Sequence, residues 1–332
     1  MNGAMKQPGI SHRLVAAWLR HCIDPLGLRP NPPRSFLSPQ QTRKLLLKAD
    51  AHYVLPIALR NFPFPAQDPE FGEVREEANA RRIAGLALST MLNCHAEQIL
   101  AAAQSLPVAI VKGRTFARSI YPSAALRPFT DIDLLARPEA ISQIDSVLLA
   151  QGFTRVEEGL SPARLETKWV HSGTGGLVEV HTNLVHSSRM RRAFSLAYDD
   201  LGGHAQTPGA LLAVAIVHGT VHYFAWLRHV VDICQAARAV TTDEEEARFE
   251  ALTTRTGTRS AAIVGLTLAY RLLGEVRCLE IAKALGSVRH AWLAKFLTRS
   301  ADLTATSNNW LLYNSWRRYI FRELIRYGAL NQ

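Results

Sequence analysis

The chain has 332 residues, 48% apolar and 20% charged, which fits a soluble globular protein long enough for two domains or for one core with helical extensions. No apolar stretch is long enough for a membrane span, and the N-terminus lacks the apolar run of a secretory signal. Cys22, Cys94, Cys234 and Cys278 form no Cys-x-x-Cys pair, which argues against a zinc ribbon or a disulfide framework and favours a reducing cytoplasm. The net charge of +10, from 38 Lys+Arg against 28 Asp+Glu, favours anionic partners without choosing among nucleotide, nucleic acid and membrane surface. A bias of the whole proteome toward arginine explains the same surplus equally well.

Residues 1–104 read as an N-terminal helical region. Ser11 to Cys22 carries apolar residues at helical spacing, and a Pro-rich linker runs from Pro25 to Pro33. Ser38-Pro39 then supplies an N-cap and a first-turn proline for a helix expected to reach about Arg60. After a loop from Phe62 to Pro69, a long helix is expected from Phe71 to Gln104. The character changes at Leu106. Pro107 to Lys112 is an apolar, β-branched run ending at Gly113, and it reads as a buried strand and turn. Thr130 to Ala136 alternates acids with aliphatics and reads as a strand with one polar face. Pro138 to Gln151 is an expected helix stopped by Gly152. Strands are expected at Phe153 to Glu157, Thr167 to His171 and Leu177 to Thr182. These elements make residues 105–188 a small mixed α/β core. Helices resume after Arg189, with breaks near Gly202, Pro208, Gly274 and Gly286, so 189–332 reads as a C-terminal helical domain. The expected fold class is α+β: a small mixed sheet flanked by two helical regions.

Asp131 and Asp133 stand two apart in the Thr130 to Ala136 segment, so on a strand both face one side. Two carboxylates roughly 6 Å apart repel unless a cation lies between them, and magnesium, which takes carboxylate and phosphate oxygens, suits that place. Glu179, in Leu177-Val-Glu-Val-His181, is the single acid of another apolar strand and a candidate third carboxylate. Three acids holding two metals can activate a hydroxyl and stabilise departing pyrophosphate.

This combination resembles the DNA-polymerase-β-like nucleotidyltransferase superfamily, in which a Gly-bearing turn precedes Asp-x-Asp and a third acid follows on a later strand. It is most similar to a group of uncharacterised bacterial nucleotidyltransferases. Their marks here are Lys112-Gly113, Tyr121-Pro122, Arg127, Asp131 to Leu135, Glu179-Val180-His181, His218 to His222, and Leu227-Arg228 through Asp232-Ile233. The resemblance spans about residues 85 to 240. It implies that Asp131 and Asp133 are the metal pair, that Glu179 is the third carboxylate, and that the cofactor is Mg2+ or Mn2+ with an NTP as donor. The better-studied members carry Gly-Ser in the turn, whereas this chain has Gly113-Arg114 and a longer gap to Asp131, so triphosphate binding must differ.

Lys112, Gly113, Arg114 and Arg127 are the candidate nucleotide-binding residues. Backbone N–H groups at a strand-to-helix turn cradle phosphate, and guanidinium groups add bidentate contacts. Arg118 and Arg137 read instead as solvated charges. His181 shares a face with Glu179 and either reaches the site or orients that acid. His218 and His222, one turn apart, read as packed histidines that bond to the core or contact substrate. Arg228 and Asp232 read as a structural ion pair. The last helix, Trp310 to Tyr327, is expected to turn its aromatics inward and its arginines to water.

The expected activity is metal-dependent transfer of a nucleoside monophosphate from an NTP, with pyrophosphate released. The acceptor, whether small molecule, peptide, protein or nucleic acid, is open. One alternative is a non-catalytic nucleotide- or partner-binding protein that keeps the fold. A weaker one is a metal-dependent glycosyltransferase using a nucleotide sugar, whose Asp-x-Asp normally follows a longer α/β half than this chain has.

Overall fold

In a computed structural model of the chain, described for residues 8–29, 32–66, 68–156, 166–201, 206–286 and 316–330, helices α1 (Pro8–Cys22), α2 (Pro39–Ala51) and α3 (Leu55–Asn61) open the fold. The Ser38 side chain accepts from the Gln41 N–H, and the Gln41 side chain answers the Ser38 backbone, a reciprocal cap that starts α2. The single helix expected from Pro39 to Arg60 is two. Pro56 has no N–H and its ring crowds the carbonyl one turn back, so the chain breaks at Tyr53, at φ 58. The break is used: His52 Nδ1 accepts from Leu227 N, docking the N-terminal helices onto a C-terminal one.

Helix α4 (Pro69–Ala102) runs 34 residues, with the Asp68 carboxylate capping its first turn. Then come β1 (Val108–Val111), α5 (Gly113–Ser119), β2 (Ile132–Ala136), α6 (Ile141–Ala150), β3 (Phe153–Arg155), β4 (Glu166–His171) and β5 (Leu177–His181). The five strands form one sheet in the order β1-β2-β5-β4-β3. β2 is parallel to β5 and the other pairings are antiparallel, as expected of a mixed sheet. β2 is an interior strand, buried throughout because it is hydrogen-bonded on both sides and packed on both faces. Glu157 and Gly202 lie outside the described residues.

Alternation along β2 and β5 sorts the two faces. Ile132, Leu134, Val178 and Val180 join Leu92, Ile99, Ile144 and Leu148 in a core between the sheet, α4 and α6. The opposite face meets the C-terminal helices: α7 (Ser188–Arg191), α8 (Pro208–Val221), α9 (Leu227–Ala239), α10 (Asp243–Arg255), α11 (Arg259–Leu273), α12 (Val276–Ala284) and α13 (Trp316–Leu330). α8 is apolar on nearly every side and correspondingly buried at its centre. Trp18, Leu45 and Ile57 of the N-terminal helices share one buried cluster with Val217, Phe224 and Ile263. No described helix is long and apolar enough to cross a membrane.

α13 departs from its expected orientation. Phe321 and Ile325 are buried, but Trp316, Tyr319 and Tyr327 are exposed, while Arg318 and Arg322 turn inward to the Val221 carbonyl. The orphan carbonyl at the end of α8 draws the arginines in. Trp310 and Tyr313 lie outside the described residues.

Candidate active site

Asp133 on β2 faces Glu179 on β5 as a direct Cα partner, and Glu179 faces Lys168 on β4. One step along, His181 pairs with Glu166. Residues directly opposed across strands share a face, so Asp133, Glu179, His181, Glu166 and Lys168 all rise from the side opposite the α4–α6 core. Asp131 precedes the first residue of β2, so it approaches from the bend and not from the strand expected to begin at Thr130. It nevertheless lines the same cleft as Asp133 and Glu179.

The contacts are short. Lys112 Nζ lies 2.6 Å from Asp133 Oδ1. His181 Nε2 is 3.0 Å from that oxygen and 3.7 Å from Glu179 Oε2. Lys168 Nζ stands 3.6 Å from both Glu179 Oε1 and Glu166 Oε1.

The acids titrate apart. Burial raises Asp133, but Lys112 and His181 overcome it and hold this carboxyl well below its ordinary value. Burial and then the Asp133 charge push Glu179 up to about 7. Burial, with Asp133 next, also raises Asp131. The cluster therefore carries more carboxylate than its cations neutralise, which is the state a divalent ion relieves. Among the described residues, Asp133, Glu179 and His181 offer donor atoms within 4.8 Å of one another.

A cleft of about 490 Å³ opens over these residues, between the acidic face of the sheet and the α8–α9 turn. Among the described residues, four that are not glycine have left-handed φ: Tyr53 (58), Lys112 (60), Tyr223 (55) and Phe224 (50). Tyr53 and Lys112 line the cleft; Tyr223 and Phe224 lie between His222 and Trp226, which also line it. Such backbone costs on the order of 1–3 kcal/mol per residue, and its gathering around one cleft points to a functional constraint there. Gly113 begins α5 so close to Phe129 and the Asp131 carbonyl that a Cβ would meet them at 3.3–3.4 Å.

One expected nucleotide contact falls elsewhere. Arg114 turns to Asn93 and Glu97 on α4, away from the cleft, because α5 presents that face to α4. Arg127, the other arginine expected to meet phosphate, is anchored by a buried acid. It lines the cleft, but its Nε and Nη2 bind Asp232 at 2.8 and 2.9 Å and its Nη1 donates to the Pro128 carbonyl, so three of its five N–H groups are engaged within the fold. The Arg228–Asp232 pair is corrected by the same contact, since Asp232 is already held by Arg127 and by the Tyr121 hydroxyl at 2.7 Å. Arg228 instead lies over the Tyr53 ring, 4.4 Å from its centroid, and lines the cleft. It is a basic residue that sequence reasoning missed, hidden by an i, i+4 acid that reads as its partner. Arg118 and Arg137 sit on the surface, against Glu97 and Asp199.

His218 and His222 line the cleft, and with His229 they form a group of rings whose centroids are 4.7 to 5.4 Å apart. Burial lowers all three, His222 to about 3, so they pack as neutral rings. His186, Glu166, Lys168, Tyr53 and Trp226 also line the cleft, as does Arg322 from α13, and none was legible as a site residue: their elements bring them there only through the sheet register and the packing of the helices.

A family model described as an uncharacterised nucleotidyltransferase matches residues 38–274. The chain belongs to that nucleotidyltransferase family. The match runs from the α2 N-cap to Gly274, the αL residue that ends α11. It reaches well beyond the expected 85 to 240 on both sides. The family thus includes the helices that close the cleft as well as the sheet that carries the acids. No curated protein and no solved structure matches the chain.

Proposed function

We propose that the protein transfers a nucleoside monophosphate from an NTP to an acceptor hydroxyl or similar group, as a catalyst of the DNA-polymerase-β-like type. The observation that carries this reading is the row Asp133–Glu179 with Asp131 beside it, at the floor of a cleft whose Glu179 carboxyl is held at about 7 by burial and by Asp133. Three carboxylates of hard oxygen donors with uncompensated charge fit Mg2+ or Mn2+. Asp131, Asp133 and Glu179 would hold the ion. When bound, it would supply charge neutralisation for the donor's phosphates and lower the pKa of the attacking hydroxyl.

The chain's own groups supply the rest. Lys112 neutralises Asp133 and keeps it ionised. Arg228, braced on Tyr53, takes the phosphate-facing role expected of Arg127. Glu179, poised near neutrality, accepts the acceptor's proton. The acceptor oxygen then bonds to the α-phosphorus, the bond from that phosphorus to the bridging oxygen breaks, and pyrophosphate leaves with both electrons. Neutral His218 and His222 shape the wall without adding charge.

The test is incubation of the full chain with each α-labelled NTP, Mg2+ or Mn2+, and a lysate of the source cell. Label on a metabolite or macromolecule, lost with Asp133→Asn, is the expected result. Metal-dependent binding of nucleotide sugars in place of NTPs would favour the glycosyltransferase reading. Metal-dependent NTP binding with no transfer to any acceptor would leave the chain a binding protein.

A further inference from the structure

Glu166, His181 and His186 have no part in the transfer just described, yet they converge. Glu166 on β4 is the Cα partner of His181 on β5. Glu166 Oε2 lies 4.0 Å from His181 Nδ1 and 3.0 Å from His186 Nδ1. All three donor atoms fall within 4.8 Å of one another. The other Glu166 oxygen faces Lys168 at 3.6 Å, which leaves Oε2 toward the histidines.

His181 decides what this cluster is. The ring is fully buried. Its Nε2 meets the Asp133 carboxylate at 3.0 Å, and since the carboxylate can only accept, Nε2 carries the hydrogen. In the neutral ring Nδ1 then carries a bare lone pair. That Nδ1 has no hydrogen-bond partner, although it is buried and directed at Glu166. His186 Nδ1 faces the same Glu166 oxygen at 3.0 Å, a place that a cation would take with the ring proton moved to Nε2. Orphaned buried nitrogen is costly, on the order of 1–3 kcal/mol, unless something fills its lone pair. A carboxylate bound to one ring nitrogen with the lone pair of the other free is the arrangement by which proteins orient a metal-ligating histidine.

We propose that Glu166, His181 and His186 bind a borderline divalent cation of the zinc class, in a site beside the Asp131–Asp133–Glu179 cluster and oriented by Asp133. Two imidazoles and one carboxylate suit zinc, whereas an all-oxygen set suits magnesium. Donors around tetrahedral zinc stand roughly 3.3 Å apart, so the observed separations close with side-chain rotation alone. Glu166 and His186 line the cleft, so the fourth position faces it and is open to water or to an acceptor group. The inference does not depend on nucleotidyl transfer.

The experiment uses the full chain stripped of metal, titrated with zinc alone against a chromophoric chelator, and with cobalt(II) for its visible spectrum. One zinc site is expected, with a cobalt spectrum free of thiolate charge transfer. His186→Ala and Glu166→Gln should each weaken zinc binding at least ~10-fold, with circular dichroism unchanged, since both side chains are only half-buried. Asp133→Asn should weaken it ~10- to 100-fold through His181, while Asp131→Asn and Cys94→Ser should leave it unchanged. Equal zinc affinity in wild type, His186→Ala and Glu166→Gln would overturn the proposal. So would an Asp131→Asn loss as large as that of His186→Ala, because zinc would then belong to the carboxylate cluster. Magnesium-dependent NTP binding, measured on the same samples, reports separately on the transfer reading.

Discussion

Arg127 and Asp232 form a two-pronged ion pair across the fold, Nε to Oδ1 at 2.8 Å and Nη2 to Oδ2 at 2.9 Å, with both side chains almost wholly buried. The pair ties the segment that leads into β2 to helix α9, and Tyr121 donates to the same carboxylate. Removing one partner strands a buried charge, which costs about 3–5 kcal/mol. Arg127→Met should therefore lower unfolding free energy by about that amount in urea titration. The double variant Arg127→Met/Asp232→Leu should recover much of it, because two apolar side chains leave no charge behind. A double variant as unstable as the single one would mean the pair itself, and not the stranded charge, supports the fold.

Arg228 and Arg155 offer a clean comparison for phosphate binding. Arg228 lines the cleft above Tyr53, while Arg155 is exposed at the far strand. Each change to Gln removes one positive charge. A charge-assisted phosphate contact contributes about 1.5–3 kcal/mol, so Arg228→Gln should weaken NTP binding ~10- to 100-fold. Arg155→Gln should leave it within about twofold, which calorimetry can resolve.

Lys112 holds a left-handed φ of 60 that a side chain resists and glycine does not. Lys112→Ala and Lys112→Gly both delete the amine that meets Asp133. Both should lose NTP affinity alike. Thermal melts should find the glycine variant the more stable, by about 1 kcal/mol, in reverse of the usual order for these residues. An alanine variant that melts higher would show the backbone there to be unstrained.

Glu179 should make the proposed magnesium binding pH-dependent. Its carboxyl is raised from 4.5 to about 7, first by burial and then by Asp133. The folded form therefore binds its proton more tightly than the unfolded form does. With respect to this group, the metal-free protein is most stable below about 4.5 and loses stability as the pH rises to about 7. A divalent ion must displace that proton, so magnesium affinity should rise with pH and level off above about 7. Isothermal titration in buffers of different ionisation enthalpy should detect the released proton, and Glu179→Gln should abolish the release.

The elements built from local pattern were legible. Ile132, Leu134 and Leu135 around Asp133 marked β2, Val178 and Val180 around Glu179 marked β5, and Ser38-Pro39 marked the start of α2. Alternation and capping act over a few residues, so composition alone exposes them. The break at Tyr53 was less visible, since the apolar spacing continues through it and only Pro56 objects. Arg228 and Asp232 were paired wrongly for a different reason. An acid one turn from an arginine looks like its partner, yet Asp232 took the arginine that arrives from 105 residues away.

By itself, the sequence determined a mixed α+β chain, the strands that bear Asp133 and Glu179, and the family those motifs mark. Tertiary structure alone decided which cations meet which anions: Lys112 to Asp133, Arg127 to Asp232, Arg228 to the cleft. The physical reason is that a strand's alternation is written in neighbouring residues, whereas a buried charge is satisfied by whichever partner folding brings within about 3 Å. That choice follows from desolvation across the whole molecule, and no local pattern carries it.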